Sequence, residues 1–276
     1  MTKHPPTLFD THCHIHEAEQ HTTPVYEKWH AKGAVDAEAM LRAAREVGVE
    51  RILCVGTTQA DSQLAIEFAR KHENMWASIG IHPHEAAEHL AHGRTLPQFA
   101  ALAKDPKADK VVAVGECGLD YFYNHSPREA QIKVLRFQIE LALAADLPMI
   151  FHVREAFDDF WPIFESYEGV RGVLHSFTDS RANLEKAVEH GLHLGVNGIA
   201  TFAKDPGQRA MYKAIPLEKL LLETDAPFLT PHPFRGTICE PKHVAITAEF
   251  LSDLRGEPLE LLATTTTQNA TRLFGV

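Results

Sequence analysis

Long apolar runs, paired cysteines, an excess of basic charge and linker-like tracts are all missing from this sequence, and each absence removes a class of protein. No stretch approaches the roughly 18 apolar residues of a membrane span, and the opening Met1-Thr2-Lys3-His4-Pro5-Pro6 lacks the apolar core of an export signal. A soluble, cytoplasmic protein with no membrane partner is expected. The four cysteines, Cys13, Cys54, Cys117 and Cys239, lie far apart with no Cys-x-x-Cys pair, so reduced thiols are expected. Lys and Arg number 27 against 37 Asp and Glu, a net charge of −10 that argues against a broad basic surface for nucleic acid. It leaves room for a local cationic site made by bound metals. With no linker, no internal repeat and no low-complexity tract beyond Thr264–Thr267, the 276 residues read as one domain, 1–276, close to the usual size of a barrel of about 250 residues.

What is present is an alternation. Short β-rich runs occur at Leu8–His14, Arg51–Gly56, Trp76–Ile81, Val111–Gly115, Met149–Val153, Gly172–Phe177, His193–Asn197 and Leu220–Thr224. Between them, Asp36–Val47, Gln59–His72, Leu96–Lys104, Pro127–Ala145, Ala156–Tyr167 and Arg181–His190 carry apolar residues three or four apart, the helical period. The clearest helix is Pro127–Ala145, with Ser126 as its N-cap candidate and Pro127 in the first turn. Thr201–Ile215 is less regular and fits only a short helix, and Lys242–Leu254 and Pro258–Leu273 close the chain. Repeated strand-then-helix units imply parallel strands with right-handed crossovers. Eight of them predict a (β/α)8 TIM barrel, with a doubly wound open sheet as the alternative.

The ionisable residues gather where barrel chemistry is found, at the C-terminal ends of the strands. The first strand carries His12 and His14, two apart and therefore on one face, a spacing that suits a borderline divalent metal. Later strands run into His82, Glu116, His152 with Arg154, His175, and Glu223 with Asp225. Taken singly, Glu116 reads as a solvated or ion-paired carboxylate, His152 and His175 as satisfied core histidines, and Asp225 before Ala226-Pro227 as a turn residue. Together those readings fail, because buried-type strands would have to break into His, Glu or Asp at the same end by coincidence.

Asp10-Thr11-His12-Cys13-His14, Gly80-Ile81-His82-Pro83, Gly115-Glu116-Cys117-Gly118-Leu119-Asp120, His152-Val153-Arg154, His175-Ser176-Phe177 and Glu223-Thr224-Asp225-Ala226-Pro227-Phe228-Leu229 resemble, in order, the TatD-like metal-dependent hydrolases. The resemblance runs from Phe9 to Gly275. It implies an amidohydrolase-type TIM barrel with two divalent metal ions (Mg, Mn or Zn) and a deoxyribonuclease activity, often 3′ to 5′. It also implies that His12, His14, Glu116 and Asp225 hold one ion and Glu116, His152 and His175 the other, with Glu116 shared. Two departures stand out. Residues between His16 and Asp36 form an extra segment where the family has a shorter loop, which bears on substrate choice. Cys239 stands where the family more often has Asn. His84, His89, His92 and His125 have no strong place in the motifs and read as surface or rim histidines.

A phosphodiester needs an activated water and charge stabilisation at phosphorus, which two metals about 3.5–4 Å apart supply. Arg154, two residues past His152, can offer a planar fork to a phosphate oxygen and His82 a second donor, against bland readings as a carboxylate's partner and a turn residue. Asp225 fits the general base and Glu116 a shared catalytic ligand, while Glu223 would orient a ligand or substrate. Three functions are consistent with this set: a hydrolase of DNA or another nucleic-acid phosphodiester, with no obligatory protein partner; a hydrolase of a carbon-centred ester or amide, such as a D-aminoacyl-tRNA deacylase; and a metal-binding protein without catalysis.

Overall fold

The computed structural model describes residues 5–19, 23–33, 35–91 and 95–276. It contains two compact units, one built from stretches 1–54 and 176–272, the other from 55–175 and 273–276. All eight expected strands form, each followed by helical structure, and among the described residues no helix is long and apolar enough to cross a membrane.

The first unit holds β1 (Leu8–Cys13), β2 (Val49–Val55, its last residue excepted), β7 (His193–Val196) and β8 (Leu220–Leu222). β1 runs parallel to β2 from Leu8↔Val49 to Cys13↔Cys54, and β7 parallel to β8 from Leu194↔Leu220 to Val196↔Leu222. The first and last strands of the chain are also neighbours. Asp225 N–H donates to His12 O at 2.8 Å and His14 N–H to Ala226 O at 2.9 Å. β1 is buried along its whole length, so its polar residues need partners. Thr11 Oγ1 donates to Leu222 O (3.0 Å), and the Asp10 carboxylate accepts from Thr224 N–H (2.8 Å) and Oγ1 (2.6 Å).

The extra segment after His16 is largely regular structure. A short 3-10 turn covers Ile15–Glu19, and Thr23 caps a helix at Pro24–His30 by accepting from Tyr26 N–H at 2.9 Å. That helix buries Trp29 completely, and the indole Nε1–H donates to His14 O at 3.1 Å.

The second unit orders β3 (Met75–Ile79), β4 (Val111–Asp120), β5 (Met149–Arg154) and β6 (Gly172–Leu174) as a parallel run in sequence order. β4 outruns its expected end at Gly115 by five residues because pairing with β5 continues through Gly118↔His152 and Asp120↔Arg154. Glu116 therefore lies inside a strand and not at its end. β6 and β8 stop short of the predicted Phe177 and Thr224, since Ser176 (φ 50°) and Asp225 (φ 63°) turn the backbone into the left-handed region.

The long helix of this unit, Arg128–Ala145, begins after Pro127; Ser126 is not its N-cap. Ser126 Oγ instead donates to His84 O (2.6 Å) and accepts from Ala87 N–H (3.0 Å). Two glutamines on the helix's buried face act as strand substitutes. Gln138 accepts from Ile81 N–H (2.8 Å) and donates to Ile81 O (3.0 Å), while Gln131 does the same for Asp120 (2.8 and 3.1 Å). Each amide holds the exit of a strand, just past β3 and at the end of β4. Replacing Gln138 by Met keeps the volume but leaves the N–H and C=O of Ile81 without these partners. With about 1–3 kcal/mol for each buried group left unpaired, Gln138→Met is expected to lower stability by roughly 2–6 kcal/mol in urea denaturation, while Lys133→Met on the same helix stays near the parent.

Candidate metal sites

In the first unit, His12 lies in β1 and His14 just past its end; both rings are buried, with their centres 5.2 Å apart. Their Nε2 atoms each lie 3.5 Å from Asp225 Oδ1. That separation is long for a direct N–H···O bond. It matches the roughly 3.4 Å between ligand atoms that sit about 2.1 Å from a tetrahedral zinc-like ion. Two imidazoles and a carboxylate converging in this way fit a borderline divalent cation. Asp225 reaches the place through its left-handed backbone, which costs a non-glycine residue about 1–3 kcal/mol. The bond from its N–H to His12 O, 2.8 Å, holds it there. Behind these three residues, burial pushes the Asp10 carboxyl up to about 8 against the opposing bonds from Thr224 and His12 N–H.

In the second unit, Glu116 is the centre. Its Oε1 lies 2.8 Å from His152 Nδ1, 3.5 Å from His82 Nε2 and 3.8 Å from His175 Nε2. Gly80 is required beside it, because a Cβ there would strike the Glu116 backbone nitrogen. His152 is held from both sides, with Nε2 at 3.0 Å from Asp120 Oδ2. Burial works against protonation of His152, yet the bonds to Asp120 and Glu116 prevail and raise it to about 9. Burial likewise pushes Asp120 up, but bonds from His152, His84 and Tyr123 N–H outweigh it and keep this carboxylate well below the usual range. His82 differs: burial lowers it to about 4, so it is neutral, and its Nδ1 accepts from His84 N–H at 3.2 Å. Nε2 then carries the proton, which suits a donor better than a metal ligand.

Asp120 and His84 are the residues that reading the sequence missed. Asp120 closes the Gly115–Asp120 motif at the end of a fully buried strand, and that placement was the available signal. His84, expected at the rim, is 3.1 Å from Asp120 Oδ2 and shares that carboxylate with His152. His89 is also no surface residue: it is buried, with Nδ1 3.0 Å from Glu85 O and Nε2 accepting from Gln59 N–H. His125 is exposed as expected, and His92 lies outside the described residues.

Of the residues expected to face substrate, Arg154 is exposed at the end of β5, with its guanidinium 4.1 and 4.8 Å from the ring centres of Phe122 and Tyr123. Among the described residues it has no carboxylate partner. Glu223 is buried and accepts from Ser176 N–H (2.6 Å) and Asn197 Nδ2 (3.3 Å). It braces the residue that follows His175, in space that a side chain on Gly195 would fill. All four cysteines are buried and stand outside any disulfide; Cys239 donates its N–H to Pro227 O at 3.2 Å.

Residues 9–275 match the family described as TatD related DNase. A metal-dependent hydrolase of Bacillus subtilis, YabD, is 37% identical over 271 residues, covering 98% of this chain and 99% of that protein. The 3′-5′ ssDNA/RNA exonuclease TatD of Escherichia coli is 34% identical over 250 residues, covering 88% and 94%. Among solved structures, the TatD homologue YJJV of Escherichia coli superposes with a TM-score of 0.85 at 32% identity, over 98% of both chains. A TatD family hydrolase of Entamoeba histolytica gives 0.84 at 22% identity, over 98% and 99%, and supports the fold alone. The fold class is the (β/α)8 barrel that the strand-helix alternation predicts, and the open-sheet alternative is set aside.

The environment of His152 has a measurable pH consequence. A histidine raised above its ordinary 6.5 to about 9 stabilises the metal-free fold fully below about pH 6.5, and that contribution is lost as pH rises through 9. A divalent ion competes with the same proton, so its affinity runs the other way. NMR titration of the metal-free protein is expected to place the His152 midpoint near 9. Affinity for Zn or Mn should rise up to about tenfold per pH unit between 7 and 9, and Asp120→Asn should lower the midpoint and flatten the rise.

Proposed function

The chain belongs to the TatD related DNase family, and on that premise we propose that it is a metal-dependent nuclease hydrolysing phosphodiester bonds in DNA or RNA. The carbon-centred alternative, deacylation of an aminoacyl ester, is not favoured. The observation that carries the reading is the convergence of buried imidazoles on Asp225 in one unit and on Glu116 in the other, with Arg154 beside the second group. His12, His14 and Asp225 would hold one divalent ion, and Glu116, His152 and His175 would hold another, drawn from Mg, Mn or Zn. Glu116 as a ligand of both is the part of this reading that rests on the family resemblance. The chain acts as one hydrolase domain in the cytoplasm, with no obligatory protein partner.

Bound divalent ions supply a Lewis acid to the phosphoryl oxygens and make water acidic enough to attack at neutral pH. The protein's own groups do the remainder. Asp225, partly open to solvent, accepts the proton of the attacking water at its carboxylate. Arg154 offers the N–H edge of a guanidinium whose face rests on two rings, and that edge pairs with a non-bridging phosphate oxygen. Neutral His82 donates from Nε2 to a second oxygen. Glu223 keeps Ser176, and with it the preceding His175, in place.

Two variants test separate parts of this scheme on the same single-stranded substrate. Asp225→Asn keeps the shape and one oxygen but cannot take up a proton, so kcat should fall roughly 10²–10⁴-fold with most bound metal retained on elemental analysis. Arg154→Lys keeps the charge and loses the fork, so KM should rise while the melting temperature is unchanged. Wild-type rates in Asp225→Asn would remove it as the base. Failure of the parent to cleave any phosphodiester under Mg, Mn or Zn would sink the reading itself.

A further inference from the structure

Three consecutive aromatic residues follow β4, and their surroundings differ. Tyr121 is tied down: its hydroxyl donates to Asp159 Oδ2 at 2.6 Å, the same oxygen accepts from Arg128 Nε at 2.5 Å, and the Arg128 guanidinium lies 5.1 Å from the Tyr121 ring centre. Phe122 and Tyr123 have no such anchor and are 50% and 51% exposed. Two adjacent large rings left half in water forgo burial that would favour folding, so the pair calls for a reason other than packing.

These rings are ordered against one another and against polar groups. Phe122 meets Tyr123 edge to face at 4.8 Å, and Tyr123 lies parallel to the exposed His125 ring at 5.8 Å and 6°. Arg154 covers part of both Phe122 and Tyr123, which fixes its guanidinium without using its N–H edge. The Tyr123 N–H donates to Asp120 Oδ1 at 2.9 Å, and its ring meets His84 at 5.6 Å. His84 in turn packs on His82 at 4.3 Å. The platform thus stands one side chain from the Glu116 cluster.

Flat π faces beside a cation suit a ligand that is itself a flat ring carrying a phosphate. Every nucleobase has such a face, and stacking on it is tolerant of sequence. A base inside a duplex has its faces covered by its neighbours and cannot use the platform without being unstacked. We propose that Phe122, Tyr123 and His125 form a stacking subsite for an unpaired nucleobase of the strand being cut, with Arg154 taking the adjoining phosphate. This deepens the nuclease reading and rests on it. The competing account is that the rings only support Arg154.

The test uses metal-loaded protein and two short single-stranded oligomers of equal length with cleavage-resistant phosphorothioate links. One is oligothymidylate, and the other has every base replaced by an abasic residue. Fluorescence anisotropy is expected to show the parent binding oligothymidylate roughly 5- to 150-fold more tightly, the range of one stacked base. In Phe122→Leu/Tyr123→Leu that preference should vanish, with abasic binding within about twofold of the parent. Equal binding of both oligomers by the parent overturns the subsite, whether or not the double variant folds. A double variant that weakens both oligomers equally at unchanged melting temperature assigns the rings to Arg154 support and also overturns it. Cleavage of ordinary phosphodiester versions is measured separately: a parent that cleaves neither refutes the nuclease reading, while the binding comparison still decides the subsite.

Discussion

Groups taken out of water must find compensation within the fold, and this chain buries several imidazoles and carboxylates where apolar residues would have been easier to accommodate. In the first unit the compensation is mutual convergence: His12 and His14 turn their Nε2 atoms to one oxygen of Asp225, at a spacing that leaves room for a cation. In the second it is a chain of charge, from Glu116 to His152 to Asp120 to His84, in which both nitrogens of His152 and Nε2 of His84 face carboxylates. Breaking such an arrangement by removing one member leaves a buried charge exposed to its full desolvation cost, whereas an ion entering it replaces a proton with a stronger positive charge. The backbone departures support the same end. Asp225 and Ser176 accept the left-handed region because a hydrogen bond from each N–H, to His12 O and to Glu223, repays the strain.

The second unit also shows how helix and strand share the work of holding a site. Gln131 and Gln138 sit on the buried face of one helix, where aliphatic side chains are the ordinary choice, and each supplies both halves of a β-ladder partner to a residue where a strand gives out. Residues that must present chemistry cannot be covered by a neighbouring strand, so their backbones would otherwise be left unpaired. The amides allow β4 to end at Asp120, and the chain past β3 to reach His82, without that penalty.

Much of this was legible in the amino-acid order, for reasons of period and position. Alternating β-rich and helical stretches placed all eight strands, and the two histidines two apart at the end of the first converge on Asp225. The extent of β4 was not legible, because Gly115 and Gly118 look like stop signals, and only close approach to the next strand explains them. Ser126 had the chemistry of a cap but spends its hydroxyl on His84 O and its lone pair on Ala87 N–H. Asp120 and His84 went unassigned because their importance lies in whom they face, which no local pattern records. The competing reading of Arg154, a carboxylate's partner, gives way to a guanidinium that rests on two aromatic rings.

The segment between His16 and Asp36 looks, by length, like an ornament that could be trimmed from the chain. Its Trp29 contradicts that view, because the indole N–H is spent on the carbonyl of His14 and the ring occupies fully buried space. A deletion there would take a hydrogen-bond donor from the His14 carbonyl and open a void beside it. The segment and the histidine are therefore tied through one peptide group: replacing the helix by a shorter loop would require another donor for the His14 carbonyl and another side chain in the space that Trp29 fills.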